Sequence, residues 1–190
     1  MNKKINVNKV FDKIDFSEKH LNKGEYDNCS FTNCIFSNAD LRNIIFVECE
    51  FDNCNLSMAK MNNTALKDVK FINSKLLGLH FNDCNGFLLS IDFDNCNLNL
   101  SSFNRLKIKG TKFRNCSLQE VDFSETDLTS SVFYNCDLNR SVFVHSIIEK
   151  ADFRTSYNYS IDPEINRIEK AKFTTYGLVG LLSKYNIEVE

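Results

Sequence analysis

Phe51-Asp52-Asn53-Cys54-Asn55-Leu56 returns residue for residue as Phe93-Asp94-Asn95-Cys96-Asn97-Leu98. Close variants stand at Phe31-Thr32-Asn33-Cys34-Ile35-Phe36, Phe113-Arg114-Asn115-Cys116-Ser117-Leu118 and Phe133-Tyr134-Asn135-Cys136-Asp137-Leu138, and a weaker one at Phe71-Ile72-Asn73-Ser74-Lys75-Leu76. The copies begin at 31, 51, 71, 93, 113 and 133, a period of twenty broken by one step of twenty-two. A period of five lies inside it. Steps of five from Phe11 meet Phe16, Leu21, Tyr26, Phe31 and so on to Phe81; after one step of seven the series resumes at Leu88 and runs through Phe93 to Phe153. All 29 of these centres are apolar or aromatic in a chain that is 43% hydrophobic overall, so the register is not accidental.

Five matches neither the helical period of 3.6 nor the strand period of two. The chain must therefore turn after each unit, with two side chains inward and three outward. Two residues before each centre the side chain is small or modestly apolar (Cys34, Ala39, Cys54, Ala59, Thr64, Cys116, Ala151), and the other places are mostly polar. Four units make one square coil, so residues twenty apart lie above one another in columns. One column is phenylalanine from Phe11 to Phe153. At strand spacing, about seven coils make a rod roughly 34 Å long. The two extra residues fall between Phe81 and Leu88 and read as a bulge within 82–87, at or beside Asn85-Gly86. The recurring Asn33, Asn53, Asn73, Asn95, Asn115 and Asn135 predict a ladder of side-chain amides bonded to turn backbone in neighbouring coils; a solvated column without such bonds is the alternative.

The unit seen in Ala39-Asp40-Leu41, Cys136-Asp137-Leu138 and Ala151-Asp152-Phe153 resembles that of the pentapeptide-repeat family over about Phe11 to Phe153. The resemblance implies an all-β fold, a right-handed quadrilateral β-helix. The expected organisation is a lead-in over 1–10, the β-helix over 11–153 and a C-terminal cap over 154–190 with a short helix near 175–185. In that helix Leu178, Leu181, Leu182 and Tyr185 fall at helical spacing, with Thr174 or Thr175 as its N-terminal cap. An open solenoid end needs covering. The resemblance further implies that such a helix joins two subunits, so a homodimer through the C-terminal helix is expected beside the simpler role of a cap.

With 23 basic and 25 acidic residues the net charge is −2, which gives no basis for nucleic-acid or membrane binding by bulk charge. No apolar run approaches the roughly 20 residues of a membrane span, and Met1-Asn2-Lys3-Lys4-Ile5-Asn6-Val7 lacks the apolar middle of a secretory signal. These features read as a cytoplasmic protein. The eight cysteines recur in step with phenylalanine, form no C-x-x-C pair and lie near no histidine at zinc spacing, so they read as small buried residues rather than as disulfides or metal ligands. No catalytic, cofactor-binding or metal-ligating residue is identified: phosphate-loop, dinucleotide, nucleophile-elbow and zinc-protease motifs are all absent. Of seventeen phenylalanines, only Phe87 and Phe173 lie off the repeat centres, so there is no aromatic platform for bases.

The outside of the rod remains. Beside the fourth column, Ile45, Val47, Phe87, Leu89 and Ile147 occupy outward places, with Ala65 between the first two pairs, and they predict a docking surface for a protein partner. The resemblance also raises a second function. Proteins of the quinolone-resistance Qnr type are acidic rods that mimic duplex DNA and bind type II topoisomerases. Here Lys67, Lys70, Lys107, Lys109, Lys112 and Arg114 interrupt the outward carboxylates, whereas a duplex carries about one negative charge per 1.7 Å.

Overall fold

The computed structural model describes residues 4–185 and 187–188. Residues 1–3 of the expected lead-in, and Asn186, Val189 and Glu190 of the expected cap, lie outside the described residues.

The strands are three or four residues long because a turn follows each five-residue unit, and within each the centre points inward while its neighbours face out. Ile5–Val7, Glu25–Asp27, Ile45–Val47 and Ala65–Lys67 form one parallel four-stranded sheet. Val10–Asp12, Ser30–Thr32, Glu50–Asp52, Val69–Ile72, Ile91–Asp94, Lys112–Arg114 and Val132–Tyr134 form a second, seven-stranded sheet. Single bridges such as Asn55↔Lys75 and Ser102↔Asp122 stitch the remaining sides. Phe11, Phe31, Phe51, Phe71, Phe93, Phe113 and Phe133 pair in register from coil to coil. The chain is thus a parallel β-solenoid, a right-handed quadrilateral β-helix with a short C-terminal helix.

Register makes the core a set of ring stacks. Phe31 and Phe51 lie 4.7 Å apart and 8° from parallel, and Phe93 and Phe113 are 5.1 Å apart at 9°. Each ring also meets the edge of a neighbouring column, as Phe93 does Phe103 at 5.9 Å and 82°. Both geometries are favourable aromatic arrangements. Phe153 stacks on Phe173 at 5.3 Å, and Ile5 pairs with Glu25. Regular rungs therefore extend beyond both ends of the 11–153 array read from the sequence.

The turns explain the asparagine column. Asn33, Asn53, Asn73, Asn95, Asn115 and Asn135 all have φ between 49° and 56°, the left-handed region that asparagine tolerates better than most residues. Their amides do form a ladder, but its acceptors are side chains instead of turn backbone. Asn53 Nδ2 donates to Asn33 Oδ1 at 2.6 Å, Asn95 to Asn73 at 2.8 Å and Asn135 to Asn115 at 3.1 Å, while Asn73 donates to Asp52 at 2.9 Å. Asn53, Asn95 and Asn135 reach the equivalent oxygen one rung away, and Asn33, Asn73 and Asn115 reach the aspartate beside that place.

The irregularity lies slightly later than the sequence suggests. Ala65 still bridges Asn85 at an offset of twenty, whereas Val69 pairs with Ile91 at twenty-two. The five-residue step from Phe81 lands on Gly86, which has no side chain to fill the core. The chain swings outward after Asn85, and Ser90 N–H returns to Leu66 O at 3.0 Å. Leu88, expected in the fourth core column, is therefore 62% exposed at φ +58°, and Leu89 packs against the core in its stead. The four-stranded sheet ends on the strand just before this detour.

Because the asparagine column is held by backbone conformation more than by its amides, Asn95→Gly changes unfolding stability by less than about 1 kcal/mol. Asn95→Val, forcing a β-branched residue to positive φ, lowers it by about 2 kcal/mol. Urea unfolding of the two variants checks the contrast.

Candidate interaction surfaces

All eight cysteines are free and buried. They do more than fill space, because most reach a carbonyl of the preceding rung. Cys54 Sγ lies 3.2 Å from Phe31 O, Cys96 Sγ 3.3 Å from Phe71 O and Cys136 Sγ 3.4 Å from Phe113 O. Hydroxyls do the same where they replace the thiol, as Thr64 does to Leu41 O at 2.8 Å and Thr126 to Phe103 O at 2.8 Å. The small inward place thus selects a weak donor of suitable size. Burial pushes the Cys49, Cys54 and Cys84 thiols up to about 12, so they are protonated and poor nucleophiles near neutrality. Among the described residues, no three His, Cys, Asp or Glu side chains gather as a metal would require.

Several outer charges pair from rung to rung. Lys23 meets Asp40 at 2.9 Å, Arg105 Glu125 at 3.0 Å, Lys109 Asp127 at 3.1 Å and Arg167 Glu149 at 2.6 Å. Hydrogen bonds from the Arg42 guanidinium hold the Asp40 carboxyl well below the usual carboxylate range. On the seven-stranded sheet one outward column reads Glu50, Lys70, Asp92, Lys112, with Lys112 Nζ 3.7 Å from Asp92. This alternation leaves no unbroken acidic stripe on that column.

The four-stranded sheet is different. Its outward side chains include Ile45 and Val47, and a shallow groove of about 320 Å³ runs over Ile45, Ala65 and Phe87, rimmed by Asn43, Asn63, Asn85 and Lys67. Phe87 is 72% exposed, and the Lys67 ammonium lies 5.9 Å from its ring centroid. Ile45 and Phe87 are therefore brought together across the intervening Ala65, and Val47 lies on the same sheet. Leu89, read as outward, turns inward against the core. Ile147 occupies a later rung of the Ile45 column, in the run Lys107, Asp127, Ile147, and does not line this groove. Sequence reasoning missed Leu88 by placing it in the core, and missed Ile5 and Val7, both exposed on the same sheet. Stepping back five from Phe11 meets Asn6, a polar centre, so the apolar signal stops one rung too early.

At the other end the helical run is mostly 3₁₀, Tyr176–Leu178 and Ser183–Tyr185 flanking an α-turn at Val179–Leu182. Thr174 Oγ1 accepts from Gly177 N–H at 3.1 Å, the capping contact expected there. The apolar residues do not act as one stripe. Leu181 packs toward the core, while Leu178, Leu182 and Tyr185 are exposed, with Tyr176 and Val179 beside them. Gly177 and Gly180 allow the run to lie on Tyr159: a Cβ at either would overlap its ring or hydroxyl. Gly180 O accepts from Ile161 N–H at 2.9 Å, and Lys184 meets Asp162 at 2.8 Å and Glu164 at 2.6 Å. These contacts make the segment a lid on the last rungs. No helix among the described residues is long and apolar enough to cross a membrane.

A solenoid turning every five residues, with an apolar centre and a second, mostly small inward side chain in each unit, defines a class of repeat protein. Residues 24–86 and 80–153 match the family described as pentapeptide repeat region, and the chain belongs to that family. A trypsin-treated variant of QnrB1, a plasmid-mediated fluoroquinolone resistance protein, is similar in structure, with a TM-score of 0.63 over 96% of this chain and 99% of that one at 17% identity. HetL, a pentapeptide repeat protein involved in heterocyst differentiation regulation from the cyanobacterium Nostoc sp. strain PCC 7120, is similar over 88% of this chain and 86% of that one, at 13% identity and a TM-score of 0.35. No curated protein matches the sequence. At 17% identity the likeness to QnrB1 carries the fold alone.

The buried thiols make stability pH-dependent. Burial raises Cys49 and Cys54 from 9.0 to about 12 in the folded state, and Tyr26 from 10.0 to about 12. A raised folded value means that their contribution is fully present below about pH 9 and is lost as the pH climbs toward 12. The melting temperature is expected to stay level from pH 7 to about 9 and to fall beyond it. Thermal melts across that range, with thiol titration showing the cysteines unreactive until the chain unfolds, check both parts.

Proposed function

We propose that this chain is a non-catalytic interaction rod that docks a protein partner on the face bounded by Ile45, Val47 and the bulge at Phe87-Leu88. The carrying observation is the contrast between this face and the polar, charged surface around it. Elsewhere the outward places are mostly charged or polar, some of them paired from rung to rung, while here a β-branched sheet surface runs into two projecting, exposed apolar side chains. Such a patch costs solvation unless something covers it. The exposed Leu178, Leu182 and Tyr185 of the C-terminal lid supply a second apolar surface, the competing place for pairing of two subunits.

Replacing Phe87 with a photo-crosslinking phenylalanine analogue in the full-length protein, in its own cells, tests the reading. One discrete adduct is expected from position 87 and none from the same analogue at Asn139. No adduct from position 87 overturns it.

The alternative function is a duplex mimic that protects DNA gyrase or topoisomerase IV from quinolones. What supports it is likeness of fold to QnrB1; what weighs against it is the alternation of acid and base along the Glu50–Lys112 column and a net charge of only −2. The purified protein is accordingly expected to leave quinolone inhibition of gyrase supercoiling unchanged at micromolar concentration, and relief of that inhibition would reinstate the mimic.

A further inference from the structure

Resting on the reading that the bulge-bounded face docks a protein, we propose that its partner is a second copy of this chain, packed antiparallel about a two-fold axis along the Ile45–Val47 strand. The outward residues of this face, taken rung by rung, are Ile5 and Val7, Glu25 and Asp27, Ile45 and Val47, Ala65 and Lys67, then the bulge. In chemical terms this is apolar, acidic, apolar, small with basic, apolar. The sequence of characters is self-complementary about its middle rung.

A two-fold axis along the central strand keeps each outward column facing its own column and reverses the order of the rungs. Ile45 and Val47 then meet their own copies. Asp27, one rung before the axis, meets the partner copy's lysine from one rung after it, since Asp27, Val47 and Lys67 lie in one register. Glu25 comes opposite Ala65, which is small and buried and sets no like charge against it. Ile5 and Val7, two rungs before the axis, come opposite the bulge two rungs after it, so the projecting Phe87 and Leu88 cover the exposed first rung of the other copy. A two-fold axis parallel to the rod would instead keep each rung facing its own rung and exchange the two columns, setting Asp27 against Glu25 and Lys67 against Ala65; the like charges of the acidic rung reject that arrangement.

Three otherwise unrelated features are accounted for together. Ile5, Val7, Phe87 and Leu88 are all exposed at opposite ends of one sheet, and antiparallel packing buries them against each other. Among the described residues, Asp27 and Lys67 form no ion pair within their own chain, so both charges are open to a partner. The sheet stops at the bulge, which sets the length of the matching surface. Five rungs at about 4.8 Å span some 20 Å and a three-residue strand is about 10 Å wide, so the face is well below the ~800 Å² per partner of a standard interface. The pairing is therefore reversible, with a dissociation constant in the micromolar range.

Sedimentation velocity on the full chain from about 1 to 200 µM reads the monomer–dimer equilibrium. Wild type is expected to dimerise across that range. Asp27→Lys and Lys67→Asp are each expected to raise the dissociation constant at least tenfold, because each replaces two symmetric attractions with repulsions. An equimolar mixture of the two variants is expected to recover dimer, since every cross-pair is then opposite in sign. Both sites lie at the surface, and circular dichroism confirms that the variants remain folded. A monomer at all concentrations, a dimer indifferent to both charge changes, or a mixture that fails to recover overturns the proposal. A dimer lost in Leu182→Asp but kept in Asp27→Lys does the same, by moving the contact to the C-terminal lid. The crosslink from position 87 separates the two levels. An adduct with the mass of two chains agrees with self-pairing, and one with a different protein overturns self-pairing while leaving the docking reading intact.

Discussion

Parallel pairing of each rung with the next, residue on equivalent residue, is the constraint from which the rest of this structure follows. Once residue i must lie over residue i+20, every column has to be built from side chains that tolerate a copy of themselves about 4.8 Å away. Phenylalanine satisfies this by stacking, as Phe81 does on Phe103 at 4.6 Å and 6°. Asparagine satisfies it by passing an amide hydrogen bond along the column, and the small inward residues satisfy it by donating to a carbonyl one rung back. Some charged residues satisfy it by alternating in sign, as Glu50, Lys70, Asp92 and Lys112 do. The hexapeptide that repeats along the chain is therefore a list of groups compatible with self-stacking.

That constraint also locates function. The inward groups are committed to the core and the backbone to the ladders, which leaves outward side chains and breaks in register as the places where two rods of this kind can differ. The break here has a definite cause, a glycine where the core asks for a large side chain, and a definite consequence, the display of Phe87 and Leu88 beside an apolar sheet. The lid at the other end arises from a comparable fit. Gly177 and Gly180 let the final helical turns lie on Tyr159, and the lid closes the rod while presenting its own apolar outer side.

Much of the architecture was legible before any coordinates, because a solenoid records its cross-section in sequence period. Legibility failed where a residue's role depended on chain direction instead of period. Leu88 fits the series by spacing but sits in a left-handed turn, so its side chain points away and Leu89 takes the core. The first rung was hidden by Asn6, a polar residue in a core column at an end where less has to be buried. The asparagine ladder was foreseen but its acceptors were not, since which oxygen lies nearest is a matter of ångströms between turns.

By itself the sequence determined the coil size, the inward and outward faces, the self-stacking columns and the neighbourhood of the one irregularity. Each of these follows from periodicity, and periodicity is a local property of the chain. Only the tertiary structure decided which outward residues share a face: that Ile45 joins Phe87 while Ile147 does not, that Leu181 turns in while Leu182 turns out, and that Asp27 and Lys67 lie in one column on either side of Val47. The reason is geometric. A surface is assembled from residues twenty or more positions apart, and a shift of two residues in the register reassigns the outward neighbours beyond it.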